Sequence, residues 1–389
     1  MSKQQSYYIQ TDFLVLLTLF ICVSLLSIYN AQQLPQFDGD SFVVKQLAWF
    51  AAGMIAAAFI LLFDLDQLYK ASLLIYGIGI FVLVILLISP PSIAPVIKGQ
   101  QSWFTLPGLS MQPSEFTKMT TILYLAAVIS SHKEKYTVTT IKSDIMLLLK
   151  IAFFTGVPVL LIMMQPDFGT SMVYIFFAAM LVLLAGIDWK IIAGLVLSIS
   201  LLAGGALALI INFPEISQDT LGLDPYQIDR IMTWINPDEQ GEDDTYHVDK
   251  SMLALGSGQL LGKGMDNLEV GTPEAHTDFI FSVIGESFGF LGTAGVIFLY
   301  FLLMYKLVTL GLNISGYSSF GAYVSFGFMS ILLIHTFQNI AMTIGIMPIT
   351  GIPLLLISYG GSSILATMIG LGLVYRVAVE YTIQQDYLF

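Results

Sequence analysis

The chain has 389 residues, of which 56% are hydrophobic and only 11% charged, and its mean hydropathy is +0.81. Soluble domains carry roughly 25% charged residues, so a water-covered globule is excluded and a lipid solvent is implied. The net charge of −12 leaves no basic face to neutralise phosphates, which excludes nucleic acid as a partner.

Apolar runs long enough to cross a bilayer, about 20 residues each, follow one another along the chain. They cover Phe13–Tyr29, Leu47–Phe63, Ala71–Ser89, Phe116–Ser130, Ile145–Met164, Ser171–Ile187, Ile191–Ile211, Ser287–Leu312, Ala322–Met347 and Pro353–Ala378. The fourth is the weakest, with Lys118 inside it. The first run reads as an uncleaved helix, since only Lys3 marks a signal-like n-region and nine further spans follow. Cys22, the single cysteine, sits in that run, so no intrachain disulfide is possible. The expectation is an all-α polytopic membrane protein of about ten transmembrane helices, forming one integral membrane domain over residues 1–389.

Lys3, Lys70, Lys133, Lys135, Lys142, Lys190, Lys306 and Arg376 fall on one side of these spans, against Lys45 and Lys98 in the short loops of the other. The positive-inside rule then places both termini in the cytoplasm. The long segment 213–278, between the seventh and eighth spans, becomes extracytoplasmic. Between Phe213 and Asp278 fourteen Asp/Glu face three Lys/Arg (Arg230, Lys250, Lys263), so most of the chain's negative charge is local to this loop. Loops of this length are usually functional. Pro225–Trp234 and His247–Leu255 have the pattern of short helices within it.

Several polar clusters flank the spans. Trp103 to Lys118 is a loop turning into a helix, with Pro113 suited to the first helical position and Glu115 to the first turn. Glu115 and Lys118 are i,i+3 neighbours that can pair for purely structural reasons, or present the lysine to an anion such as pyrophosphate. In Gln165-Pro-Asp167-Phe-Gly-Thr170, turn and N-cap chemistry explains Asp167. Gly256-Ser-Gly258…Gly262-Lys263-Gly264 evokes a phosphate loop but lacks its leading glycine and final Ser/Thr. In Pro273-Glu-Ala-His276-Thr-Asp278-Phe-Ile-Phe281 a carboxylate stands where the polar loop meets an apolar helix. Such a group can be a general base whose proton affinity is raised by partial desolvation, or simply a helix N-cap. Glu286 is about 12 Å further along a straight helix and cannot form a close dyad with it. Pro348-Ile-Thr-Gly351-Ile-Pro353 and Ser358-Tyr-Gly-Gly-Ser-Ser363 loosen two helices, for close packing or to line a cavity. The sequence has no His/Cys metal cluster and no G-x-S-x-G nucleophile motif.

Taken in order, Gln112-Pro-Ser-Glu115 with Lys118, Gln165–Thr170, Gly256–Gly264, Pro273–Asp278 and Ile357-Ser-Tyr-Gly-Gly-Ser-Ser363 resemble the SEDS proteins of bacteria (shape, elongation, division and sporulation). Gly256-Ser-Gly258 and Ile349-Thr-Gly-Ile-Pro353 lean toward the rod-shape (RodA) branch over the division (FtsW) branch. The resemblance implies a peptidoglycan glycosyltransferase of the cytoplasmic membrane, acting during cell elongation on lipid II, the undecaprenyl-pyrophosphate-linked disaccharide pentapeptide. It also implies a class B penicillin-binding protein and other elongation-machinery membrane proteins as partners. The family's essential carboxylate falls on Asp278. Substrate contacts are expected among Lys118, Glu115, Trp103, His276, Lys263 and Ser358, with Lys118, Lys263, Arg230 or a divalent cation (Mg or Mn) to stabilise the leaving group. Family members often carry Arg where this chain has Ser102. The competing readings are a lipid II flippase and a non-catalytic scaffold for the cross-linking partner.

Overall fold

A computed structural model describes residues 10–37, 39, 41–97, 99–106, 109–212 and 242–386. The expected helix at Pro225–Trp234, with Arg230, lies outside them. Seven helices come first: α1 (Thr11–Gln32), α2 (Phe42–Ile60), α3 (Leu65–Ile88), α4 (Pro113–Lys135), α5 (Ile141–Met163), α6 (Phe168–Leu184) and α7 (Trp189–Asn212). After residues 213–241 come α8 (Glu242–Ser257), α9 (Ile280–Ile314), α10 (Ser319–Thr343) and α11 (Gly361–Asp386). The only sheet among the described residues is a small antiparallel hairpin, β1 (Phe104–Leu106) with β2 (Leu109–Met111), pairing Phe104 with Met111.

Each of the ten expected spans has its helix. Eight are long and apolar enough to cross a membrane by themselves: α1, α2, α3, α5, α7, α9, α10 and α11. Helix α6 is apolar but shorter, and α4 is too polar to face lipid. Burial explains α4. Ser114, Glu115, Thr117, Lys118, Thr121 and His132 are all buried, because α3, α5, α10 and α11 surround the helix. Helix α10 is equally central, 89% of its span being buried against 22% of α3. The outer helices turn side chains such as Ile55, Leu74 and Phe153 outward, as a hydrocarbon solvent permits.

Several boundaries differ from the sequence expectation by a few residues, and three of them bear on the site. The eighth span begins earlier, at Ile280, and continues through a kink at Gly289, where φ is 63° and ψ −158°. The ninth ends at Thr343 rather than Met347. The tenth begins at Gly361 rather than Pro353. Hydropathy alone cannot see the last difference, since residues 352–357 are apolar and buried yet not helical. Pro348 and Pro353 lack the N–H that a helix needs, and Gly345 and Gly351 sit at φ 74° and 70°.

Buried non-helical backbone is tolerated only where protein satisfies its polar groups. Here polar side chains from several spans converge on one segment. Asn339 donates to Ile352 O, His335 Nδ1 meets Pro353 O at 3.0 Å, and Ser24 donates to Ile357 O. Gln46 bonds Ser358 O, and Tyr300 donates to Leu355 O. The polar residues inside α1, α2, α9 and α10 are thus the hydrogen-bonding cradle of a re-entrant segment running from Thr350 to Gly360.

The α9 kink is met in the same way. It frees the carbonyls of Glu286 and Ser287, which accept from Lys263 N and Gly264 N at 2.9 Å each. Phe290 N and Leu291 N in turn donate to Gln259 O and Leu260 O. Gly262 (φ 80°) lies so close that a Cβ there would come within 2.2 Å of Ser287 O. Gly258 and Gly262, two of the glycines that evoked a phosphate loop, are therefore spent on backbone-to-backbone packing.

Candidate active site

Asp278 ends the turn-rich segment 271–279 and precedes α9. Phe279 occupies the N-cap position and caps nothing with its side chain, so Asp278 precedes the cap residue. Its backbone is held by three consecutive carbonyls. His276 O accepts from Tyr359 N (2.8 Å), Thr277 O from Ser358 Oγ (2.7 Å) and Asp278 O from Asn339 Nδ2 (2.8 Å). Asp278 itself is half-buried, and a methyl group on Gly351 would sit 3.7 Å from its Oδ2. Gly351 is needed there for its φ of 70°, which side chains resist. The carboxylate therefore borders the re-entrant segment, on a backbone with little freedom to shift.

The second element is Lys118. It is 1% exposed, with Nζ 2.7 Å from Glu115 Oε1 and 3.1 Å from His335 Nε2. Since His335 Nδ1 can only donate to the Pro353 carbonyl, Nε2 of the neutral ring accepts from the lysine. His335 and Asn339 are four residues apart on one face of α10, about 6 Å along its axis. One helix face thus ties the Lys118–Glu115 pair to the carbonyl of Asp278. Asp167, the N-cap of α6, accepts from Thr170 N (3.0 Å), Thr170 Oγ1 and Gln112 Nε2 (3.0 Å), joining α6 to the start of α4. Ser362 Oγ accepts from Gln112 N at 3.0 Å, fixing the same corner to α11.

The other residues expected at the site are distributed around this core. The ring of His276 stacks on Phe42, with centroids 4.4 Å apart and planes 14° apart, and also meets Phe37 and Tyr359. Ser358 is buried, its hydroxyl donating to Thr277 O and accepting from Leu354 N. It braces Asp278 from behind. Trp103 is half-buried in the stretch leading into β1, and the neighbouring Ser102 is fully buried. Lys263 bridges Glu286 Oε1 (2.7 Å) and Glu269 Oε2 (2.8 Å). Glu286 Oε1 accepts as well from Glu269 N and Val270 N, closing the loop ahead of Asp278. Burial works to lower the Lys263 ammonium's proton affinity, but the hydrogen bonds and charges of Glu269 and Glu286 outweigh it and hold the group above its ordinary value.

Among the described residues no three His, Cys, Asp or Glu side chains gather where a metal ion could bind. His335, Asn339, Gln46 and Tyr300 were not singled out from the sequence. The available signal was a polar side chain interrupting an apolar run, doubled at helical spacing for His335 and Asn339.

Residues 4–383 match the family described as the FtsW, RodA and SpoVE cell cycle proteins. The chain belongs to this family. It is 32% identical over 343 residues to the probable peptidoglycan glycosyltransferase FtsW of Saccharophagus degradans, covering 87% of this chain and 83% of the relative. It is 33% identical over 299 residues to the peptidoglycan glycosyltransferase MrdB of Escherichia coli K12, covering 76% and 75%. A chain from a solved peptidoglycan synthase complex that coordinates polymerization and crosslinking superposes with a TM-score of 0.77. That likeness covers 96% of this chain and 99% of the other at 24% identity, and so speaks to the fold.

Proposed function

We propose that this FtsW/RodA-family chain is a peptidoglycan glycosyltransferase that polymerises lipid II, with Asp278 as the general base. Supporting the reading are the relatives named as peptidoglycan glycosyltransferases and the setting of Asp278. The observation that carries it is the pinning of three consecutive carbonyls up to Asp278, which holds a half-buried carboxylate in place beside the re-entrant segment. A base must be positioned before its proton affinity matters. The carboxylate takes the proton of the acceptor sugar hydroxyl, whose oxygen attacks the anomeric carbon of the donor while the lipid-linked diphosphate departs. An α-linked donor and a β-linked polymer require inversion, hence one direct displacement without a glycosyl-enzyme.

The leaving diphosphate gains negative charge and needs cationic or dipolar support. Lys118 and Lys263 already hold carboxylates, and Arg230 belongs to residues 213–241. Since no three His, Cys, Asp or Glu side chains gather among the described residues, a Mg²⁺ or Mn²⁺ ion would be held mainly by the diphosphate with Asp278 beside it, and would supply positive charge to the leaving group. Lys118 is a positioning residue in this reading, acting through His335 and Pro353 O on the segment beside Asp278. The Lys/Arg distribution supports cytoplasmic termini and an extracytoplasmic site. Membership of a family with a relative in a synthase complex supports a class B penicillin-binding protein as partner. The motifs around Gly256 and Ile349 favour a role in elongation.

The test is polymerisation of purified lipid II in detergent, wild type against Asp278→Ala, with and without the partner and a divalent metal. Glycan strands from wild type and none from a folded Asp278→Ala support the assignment. Strands from the variant at the wild-type rate overturn the base. Transport of labelled lipid II across vesicles without polymer would instead identify a flippase.

A further inference from the structure

A cleft of about 460 Å³ opens between α3, α4 and α5 at the end of the bundle opposite Asp278. The polarity follows from α4, whose Gln112 end contacts Asp167 and Ser362 while its other end carries Lys133 and Lys135. The volume is typical of a site for a small molecule or head group, roughly 300–1,000 Å³. Lys70, Lys150, Tyr124 and Ser131 contribute the polar part of its wall, and Leu73 and Phe154 the apolar part. No carboxylate lines it.

Its two lysines, Lys70 exposed and Lys150 half-buried, differ from the cations buried in the spans. Lys118 and Arg376 hold carboxylates at 2.7 Å. Neither Lys70 nor Lys150 takes part in any salt bridge between described residues. Lys150 lies about 14 Å from the start of α5, at a depth where an uncompensated ammonium is costly, while Lys70, about 8 Å from the start of α3, stands at the exposed rim of the cleft. A ligand carrying negative charge in the cleft would meet both. The cleft is also open to lipid: Leu73 in its wall is 58% exposed, and Leu149 and Phe153, next in sequence to its residues Lys150 and Phe154, are 63% and 64% exposed.

We propose that this cleft binds an anionic phospholipid, its phosphate between Lys70 and Lys150 and its acyl chains along Leu73 and Phe154. A soluble anion would share the phosphate chemistry, but the lipid-facing apolar wall selects a ligand with hydrocarbon attached. On the orientation proposed above, the lipid belongs to the cytoplasmic leaflet, where basic pockets between helices hold such head groups. The binding does not depend on the glycosyltransferase reading.

The probe is phosphatidylglycerol, titrated into the delipidated full-length protein in detergent and followed by native mass spectrometry. Phosphatidylcholine and inorganic phosphate serve as the comparison arms. Wild type should show a saturable phosphatidylglycerol adduct that phosphatidylcholine does not match and that millimolar phosphate does not displace. Lys70→Gln/Lys150→Gln should weaken it at least tenfold while eluting as a monodisperse peak. Lys45→Gln, at the other end of the bundle, should leave it unchanged. Leu73→Trp, which fills the cleft and keeps both charges, should weaken it too, and decides the matter if the double variant does not fold. Equal phosphatidylglycerol affinity in wild type and the folded variants overturns the proposal. Complete displacement by phosphate overturns the lipid as occupant.

Discussion

Replacing Lys118 with methionine keeps most of the side-chain volume and removes only the charge. In the wild type Lys118 Nζ stands 2.7 Å from Glu115 Oε1, with the two side chains 1% and 6% exposed. Glu115 Oε2 is buried and has no hydrogen-bond partner among the described residues, so the lysine is what compensates this carboxylate. Breaking a buried pair from one side leaves the other charge desolvated, at a cost of about 3–5 kcal/mol. That is a large part of a typical total stability of about 5–15 kcal/mol. Removing both charges, as Glu115→Gln/Lys118→Met, leaves neutral groups with imperfect hydrogen bonding, and the expected loss falls to about 1–3 kcal/mol. Equilibrium unfolding in mixed micelles, read by helical circular dichroism across the four proteins of the cycle, should give a coupling energy of about 2 kcal/mol or more. The double variant should regain folding without regaining polymerisation, because the link from Lys118 through His335 to Pro353 O is still missing. A loss below about 1 kcal/mol for Lys118→Met, or single losses that simply add within about 0.5 kcal/mol, would refute the account of this pair.

Asn339→Leu removes the donor to both Asp278 O and Ile352 O. It should lower the polymerisation rate about 10–100-fold, a scale set by small displacements of a reacting group, and a rate near wild type would show that Asp278 is positioned otherwise. Gly262→Ala must place a Cβ 2.2 Å from Ser287 O at a φ of 80°, and should cost about 2–4 kcal/mol in thermal or denaturant unfolding. Lys263 holds its proton above the ordinary 10.5 when folded. Its contribution is therefore complete below the unfolded value and is lost as pH rises through the higher folded one. Stability curves of wild type and Lys263→Met should accordingly differ near neutral pH and converge on the alkaline side; a constant gap would count against the bridge to Glu269 and Glu286.

Much of this arrangement was legible from local sequence. Hydropathy located a helix for each of the ten expected spans because a segment that crosses lipid must satisfy its backbone internally and present apolar side chains, a condition that can be checked residue by residue. Pro113 at the start of α4 and Asp167 as a helix cap followed from local backbone chemistry in the same way. Asp278 stood out as a carboxylate at the foot of an apolar helix, and the reading of its neighbours as one family is matched over residues 4–383.

The partners that position those residues were not legible, because they come from distant parts of the chain. Residues 352–357 are as apolar as a helix, and only the carbonyls they offer to Asn339, His335, Tyr300 and Ser24 reveal a re-entrant strand of backbone. Gly258 and Gly262 made sense only once the kinked α9 was in place to receive them. His276 and Ser358 turned out to brace the backbone around Asp278 from positions 37–42 and 354–359. Sequence alone therefore settled membrane class and the placement of the apolar helices, and singled out Asp278 as the candidate carboxylate, since each depends on short-range periodicity or composition. The tertiary structure decided which buried charges are paired, which backbone is re-entrant and what holds Asp278 still. Those properties arise from hydrogen bonds between residues up to hundreds of positions apart, where low dielectric makes each partner's placement decisive.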